Sequence, residues 1–335
     1  NLMTTELLHQ AIAGPTEDSP EWLACRRWEP GRVPRIGASQ AAAACNQSSY
    51  ATSLDLFLDA RGRERVFDDA AIKRMRRGRK LQSVIIEEAG LEMDALVTEN
   101  NRMWLHPEFE FCVATPDAFV KSQPTAVLEV KAPSPHMFSR LPEEYQYGED
   151  GSDLVPNDTL FQAQQQMAVM GMYECFVAAM FGVNTLRIYR IPRNDDLIEL
   201  IIDAEKELVE RIITGEPPDP EWTHPNTRKA IASLRGYTPN LVVQLGEEHL
   251  RMWLERKRVS EEISALEARK DELTNRLLWA FEGAEIGRFP RGEKELRRCI
   301  VQDSLWTEKD AAEIAAKVGT VKRKGHERLL ERKVK

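Results

Sequence analysis

Thr115-Pro116-Asp117-Ala118-Phe119-Val120 and, past the turn Ser122-Gln123-Pro124, Ala126-Val127-Leu128-Glu129-Val130-Lys131 are the stretch on which the reading of this chain turns. Both halves are short, apolar and β-rich, and the residues between them are a turn signal. An antiparallel hairpin of the two halves brings Asp117, Glu129 and Lys131 together. Alternation along the second strand puts Glu129 and Lys131 on one face, with Val130 turned into the core.

Such a cluster suits metal-assisted phosphate chemistry. Magnesium prefers hard oxygen ligands and takes one or two carboxylates with water and phosphate oxygens. Asp117 and Glu129 supply the carboxylates, and the Val130 carbonyl adds a third oxygen. The Lys131 ammonium beside a metal-bound water orients it and stabilises charge on the attacked phosphate. The plainer reading is a strand with a Glu–Lys surface pair and a Pro-Asp turn. Both motifs lying within apolar strands favours the catalytic reading.

Outward from the hairpin, residues 95–131 read as one antiparallel meander, with Asn100-Asn101 as a further turn. Upstream, residues 3–14 read as a short helix, and Asn1-Leu2 as residues added ahead of a natural Met3. Ser19-Pro20-Glu21 opens a helix bearing Trp22 and Arg26. A long helix is expected over 68–89. It carries Lys73, Arg74, Arg76, Arg77, Arg79 and Lys80 in its first half and apolar residues in its second. The basic run is a solvated face or a phosphate-facing one.

Downstream, a helix over 158–172, strands near 174–182 and 186–191, and a helix over 196–214 complete an α/β sandwich around a central mixed sheet. This gives a domain over 1–225. Residues 226–335 read as a helical or coiled-coil arm with a small basic end. Within it Met252, Val259, Ile263, Leu266, Leu273 and Leu277 follow coiled-coil spacing, with Arg256 and Lys270 at seam positions. A strand over 296–301, a helix over 307–317 and a basic tail over 322–335 are expected to follow.

The net charge of −8 does not by itself indicate a nucleic-acid partner, so the clustering of basic residues carries more weight than the sum. The five cysteines are odd in number, scattered and without CxxC spacing, which argues against a disulfide framework or zinc site and for a reducing cytoplasm. No apolar run approaches a membrane span.

These motifs together resemble the PD-(D/E)XK nucleases, specifically the phage-type alkaline exonucleases of the lambda exonuclease and YqaJ-like viral recombinase group. Thr115-Pro116-Asp117 and Leu128-Glu129-Val130-Lys131 carry the resemblance. Trp22 to Arg26, Ile36-Gly37-Ala38-Ser39, Gly78-Arg79-Lys80-Leu81 and Gln162-Ala163-Gln164-Gln165-Gln166-Met167 extend it over about residues 19–220. It implies a restriction-endonuclease-like core, Asp117 and Glu129 as magnesium ligands, and Lys131 as the residue assisting water. It also implies that Arg26 and Ser39 contact the DNA end and its 5′ phosphate, and that Gln162 lies beside the metal cluster. Gln164 and Gln166 read as solvent-facing.

One position departs from the pattern. Gln82 stands where the family has glutamate. A neutral amide keeps the size of the side chain and loses most of its power to bind a second metal or position water. An introduced Glu-to-Gln substitution is the favoured explanation. A natural variant with fewer ligands, or Glu87 or Glu88 serving instead, are the others. His106 is a packed or exposed histidine before it is a metal neighbour.

The resemblance implies a magnesium-dependent exonuclease, with manganese able to substitute, that degrades one strand of duplex DNA 5′ to 3′. The 3′ tail would pass to a single-strand annealing protein in phage-type recombination. A homo-oligomer, a ring of three in the lambda type, is expected, in a bacterial cytoplasm and away from membranes. A structure-specific or restriction-type endonuclease on the same core, and an inactive DNA-binding or assembly protein, are the alternatives.

Overall fold

The computed structural model describes residues 11–17, 19–26, 28–63, 69–122, 124–133, 146–182, 184–236, 238–289 and 295–298. It begins with strand β1 (Ile12–Thr16), where the sequence suggested the end of a helix. Helix α1 (Pro20–Arg26), the short strand β2 (Ile36–Gly37), a 3-10 turn at Ala38–Gln40 and helix α2 (Ala41–Ala44) follow. Helix α3 (Ser53–Ala60) starts at a reciprocal cap, in which Thr52 and Asp55 satisfy each other's free backbone N–H groups. Helix α4 (Asp69–Glu92) is the long helix expected, and its six basic side chains are all exposed.

The expected meander is instead divided between two sheets. Strands β4 (Arg102–Leu105) and β5 (Cys112–Ala114) join β1 and β2 in a sheet of order β1-β4-β5-β2. Strands β3 (Val97–Glu99), β6 (Ala118–Val120) and β7 (Ala126–Lys131) form part of the other sheet. The split follows from pairing: β4 takes β1 as its outer neighbour, and β5 takes β2 in parallel.

Helix α5 (Asn157–Met170) returns the chain so that β8 (Glu174–Phe181) lies parallel to β7, and β9 (Thr185–Pro192) closes the edge. The five-stranded mixed sheet is therefore β3-β6-β7-β8-β9. Helix α6 (Asp195–Thr214) is capped by the Asn194 side chain and ends at Gly215, whose φ of 83° suits glycine. Helix α7 (Thr227–Arg235) lies in the region the sequence assigned to the arm; Ala230 and Leu234 pack against the apolar residues of α3 and α6.

Strand β7 is buried on both faces. Ala126 and Leu128 meet Ile85, Ile86 and Ala89 of α4, and Val127 meets Met167 of α5. The mixed α/β core is thus a sheet between two helical layers, as expected. Two compact units divide the chain, Asn1–Pro239 and Asn240–Lys335, so α7 falls in the first. The second contains helix α8 (Glu247–Ala280) and the hairpin of β10 (Ile286–Arg288) with β11 (Glu295–Arg297). The strand foreseen at 296–301 is represented by β11. The helix over 307–317 and the basic tail lie outside the described residues.

Candidate active site

The hairpin register sets the site. Ala118 lies opposite Leu128, which brings Asp117, one residue before β6, to the Glu129–Val130 end of β7. The Val130 N–H donates to Asp117 Oδ2 at 2.7 Å. The Pro-Asp turn is held from the neighbouring loop. Asn100 Nδ2 donates to the Pro116 carbonyl at 2.7 Å, and the Asn100 N–H donates to the Asp117 carbonyl at 2.9 Å.

Alternation along β7 then divides its side chains between the two layers. Glu129 and Lys131 share the side of Val127, toward α5, while Val130 packs with Leu128 on the α4 side. Glu129 is only 4% exposed, so its carboxylate needs internal partners. Gln162 and Gln166, one turn apart on α5, provide them. Gln162 Nε2 donates to Glu129 Oε1 at 2.7 Å, and Gln166 Nε2 donates to Oε2 at 2.6 Å. Lys131 Nζ bridges Glu129 Oε1 and Gln162 Oε1, both at 2.7 Å.

Burial pushes the Asp117 carboxyl well above the usual carboxylate range, and the adjacent Glu129 charge pushes it further. For Lys131, burial alone would lower the ammonium, but Glu129 outweighs it and the pKa is raised, so the lysine stays charged. The Asp117 and Glu129 carboxylates and the Val130 carbonyl are oxygen donors of the kind a hard divalent cation takes, and the Lys131 ammonium lies beside them as a charge and hydrogen-bond donor, not as a ligand. Among the described residues, no three His, Cys, Asp or Glu side chains converge closely enough to hold a metal by themselves.

Gln164 and Gln166 are not solvent-facing. Both are buried, because α5 is enclosed along nearly its whole length. Gln164 exchanges hydrogen bonds with the Pro192 carbonyl and the Asn194 N–H. Gln165 donates to the Ile36 and Val113 carbonyls, tying α5 to the four-stranded sheet. His106 is a packed histidine: its Nδ1 accepts from the Glu108 and Phe109 N–H groups.

Gln82 is half-buried on α4, one turn before Ile85 and Ile86 and on their face, in the layer opposite to α5. Among the described residues it stands outside the Glu129 network. Glu87 and Glu88 are exposed. Ser39 is exposed and lines a cavity of about 180 Å³ together with Asp117, Gln162, Arg35 and Glu17. The side chain of Arg26 lies outside the described residues. Arg76, Arg77, Arg79 and Lys80 sit on the exposed half of α4.

Sequence reasoning missed Gln166, Asn100, Arg35 and Glu17. The four-residue spacing of Gln162 and Gln166 was a usable signal. Glu17 and Arg35 flank β1 and β2 of the four-stranded sheet, and nothing local marks them; Asn100, legible only as a turn, extends the β3–β6 pairing to the Asp117 carbonyl.

Residues 21–173 match the family model of the YqaJ-like viral recombinase domain. The protein named YqaJ from Bacillus subtilis (strain 168), itself uncharacterised, is 23% identical over 273 residues, covering 80% of this chain and 79% of the relative. Two solved structures align in part. An alkaline exonuclease (LHK-Exo) from Laribacter hongkongensis is 19% identical with a TM-score of 0.40, covering 54% of this chain and 89% of that one. A phage-related exonuclease from Haemophilus somnus 129PT is 12% identical with a TM-score of 0.42, covering 55% and 97%. Among the described residues no helix is long and apolar enough to cross a membrane. Asp117, Glu129, Lys131, Gln162 and Gln166 all fall within the segment that matches the YqaJ-like viral recombinase domain.

Proposed function

We propose that this chain is a magnesium-dependent exonuclease that degrades the 5′-ended strand of double-stranded DNA and leaves a 3′ tail for an annealing protein. The observation that carries the reading is the buried Glu129 carboxylate, bonded at once to Lys131, Gln162 and Gln166 and set beside Asp117. A purely structural Glu–Lys pair has no need of two glutamines and a second, half-buried carboxylate.

In this reading Asp117, Glu129 and the Val130 carbonyl hold magnesium, or manganese in its place. When bound, the cation supplies charge neutralisation and acidifies its water. Lys131 orients the attacking water and balances charge developing on the phosphate. Gln162 keeps the ammonium in register with Glu129, and Gln166 fixes the second carboxylate oxygen. Arg26 and Ser39 take the 5′ phosphate, while Arg76, Arg77, Arg79 and Lys80 contact duplex phosphates. Gln82 occupies the position of the family's helix glutamate and lowers the rate.

The test is resection of 5′-phosphorylated linear duplex in magnesium by this chain and by its Gln82→Glu variant. Linear DNA is expected to be resected, faster by the variant, while covalently closed circles survive. Cleavage of closed circles would establish an endonuclease instead. End binding without cleavage by either protein would leave a DNA-binding or assembly role.

A further inference from the structure

Helix α8 runs 34 residues, roughly 50 Å at 1.5 Å per residue, and buries none of them. Its apolar stripe is exposed, Leu266 at 69% and Ile263 at 51%. An apolar stripe alone does not identify its occupant; the charges beside it do. In the heptad that places Ile263 at a and Leu266 at d, the g positions after Glu248 are Glu255, Glu262, Arg269 and Arg276. The first half of the helix is thus acidic at g and the second half basic.

We propose that α8 pairs with α8 of a second copy of this chain as an antiparallel coiled coil. In that orientation g residues face g residues, so Glu255 meets Arg276 and Glu262 meets Arg269, each twice by symmetry. The same register sets Ile263 against Leu266 and Met252 against Leu277, and its two-fold axis falls near the helix midpoint. Seam residues Arg256 and Lys270 then oppose Leu273 and Val259 rather than each other. The Arg256 guanidinium already lies 5.2 Å from the Trp253 ring, with its charge drawn out of the seam.

A parallel, in-register pair is disfavoured on the same residues. It stacks Arg256 on Arg256 and Lys270 on Lys270, and it sets Glu262 against Glu267. The g residues also make pairs within the helix, Arg258 with Glu255 and Glu262, and Glu272 with Arg269 and Arg276. Exposed pairs of this kind are weak, and they leave room for bonds to a partner helix. The inference rests on α8 alone and is independent of the nuclease reading.

The test uses the full chain and two variants that keep those internal pairs while making g uniform from position 255 to position 276. The first is Glu255→Arg, Arg258→Glu, Glu262→Arg; the second is Arg269→Glu, Glu272→Arg, Arg276→Glu. Masses are measured by light scattering, with helicity checked by circular dichroism. The unmodified chain is expected to have twice the mass of either variant, and an equimolar mixture of the variants is expected to regain it. Equal masses for all three proteins would overturn the proposal. So would tighter self-association of the first variant, which a parallel pair predicts because Glu262→Arg places a cation opposite Glu267. If a variant loses helicity, failure of the mixture to regain the doubled mass also counts against it.

Discussion

Helices α5 and α8 are opposites. The first is 14 residues long and carries four glutamines in five positions, yet three of those glutamines are buried. The second is 34 residues long with regular apolar spacing, yet none of its residues is buried. The glutamine cluster of the first and the apolar spacing of the second, taken by themselves, would assign the two environments the other way round. What separates them is what surrounds them. Helix α5 is enclosed by both sheets and by α6, so each glutamine must find a partner inside. Helix α8 presents a seam whose complement lies outside the described chain.

The sharpest way to break this contrast is at the group that α5 positions. With Gln82→Glu in place, Lys131→Ala is expected to reduce magnesium-dependent cleavage by about 10²–10⁴-fold. End binding, followed by fluorescence anisotropy, should change little. Cleavage at the unmodified rate would show that the enclosed cluster is structural.

Gln166→Leu tests whether α5 acts on the site or only fills space. The variant leaves Glu129 Oε2 without its donor. It is expected to weaken the magnesium requirement's midpoint by about 10–100-fold and to lower stability by about 1–3 kcal/mol. A magnesium titration of the resection rate separates these effects. Lost stability with an unmoved midpoint would assign Gln166 to packing.

The third prediction concerns Glu205 on α6, fully buried and, among the described residues, without a well-formed side-chain hydrogen bond. Burial pushes its carboxyl well above the usual glutamate range, opposed only in part by the Cys112 thiol and the Gln165 amide. In turn its presence, added to burial, helps raise the Cys45 thiol to about 12. The unfolded chain gives up the Glu205 proton in the ordinary glutamate range, and the folded chain holds it to higher pH. Across that window the folded state binds more protons, so this residue makes stability fall as pH rises, by at most about 1.4 kcal/mol per pH unit. Urea denaturation of Glu205→Gln across the window should show that slope removed. An unchanged slope would mean the carboxyl titrates normally.

Much of this was legible in the sequence. Asp117, Glu129 and Lys131 converge because a two-residue alternation and a single turn determine their placement, whereas Gln162, on α5, was expected there only from the resemblance. The order α5, β8, β9, α6 could be read because each element has clear local punctuation, such as Asn194 and Gly215 at the ends of α6. The division of 95–131 into two sheets could not be read, because it depends on β1 pairing with β4 across most of a hundred residues. Gln166 was misjudged for a related reason: glutamine on a helix reads as solvated unless the layers on both sides are known. Gln82 shows the reverse case, a position whose motif was clear and whose layer, on the α4 side of the sheet, was not.

The smallest expected effect lies at the exposed end of the comparison. Leu266→Ala removes a large apolar side chain, a change that costs about 2–5 kcal/mol in a packed core. At 69% exposure its removal leaves no cavity among the described residues. Stability of the first unit should therefore change by less than about 0.5 kcal/mol, read as hydrogen-exchange protection of the β7 and β8 amides. Self-association of the full chain should nevertheless weaken, since Leu266 sits beside the proposed two-fold axis. A loss of protection in β7 and β8 would place Leu266 in the packing of the first unit and remove the contrast between the two helices.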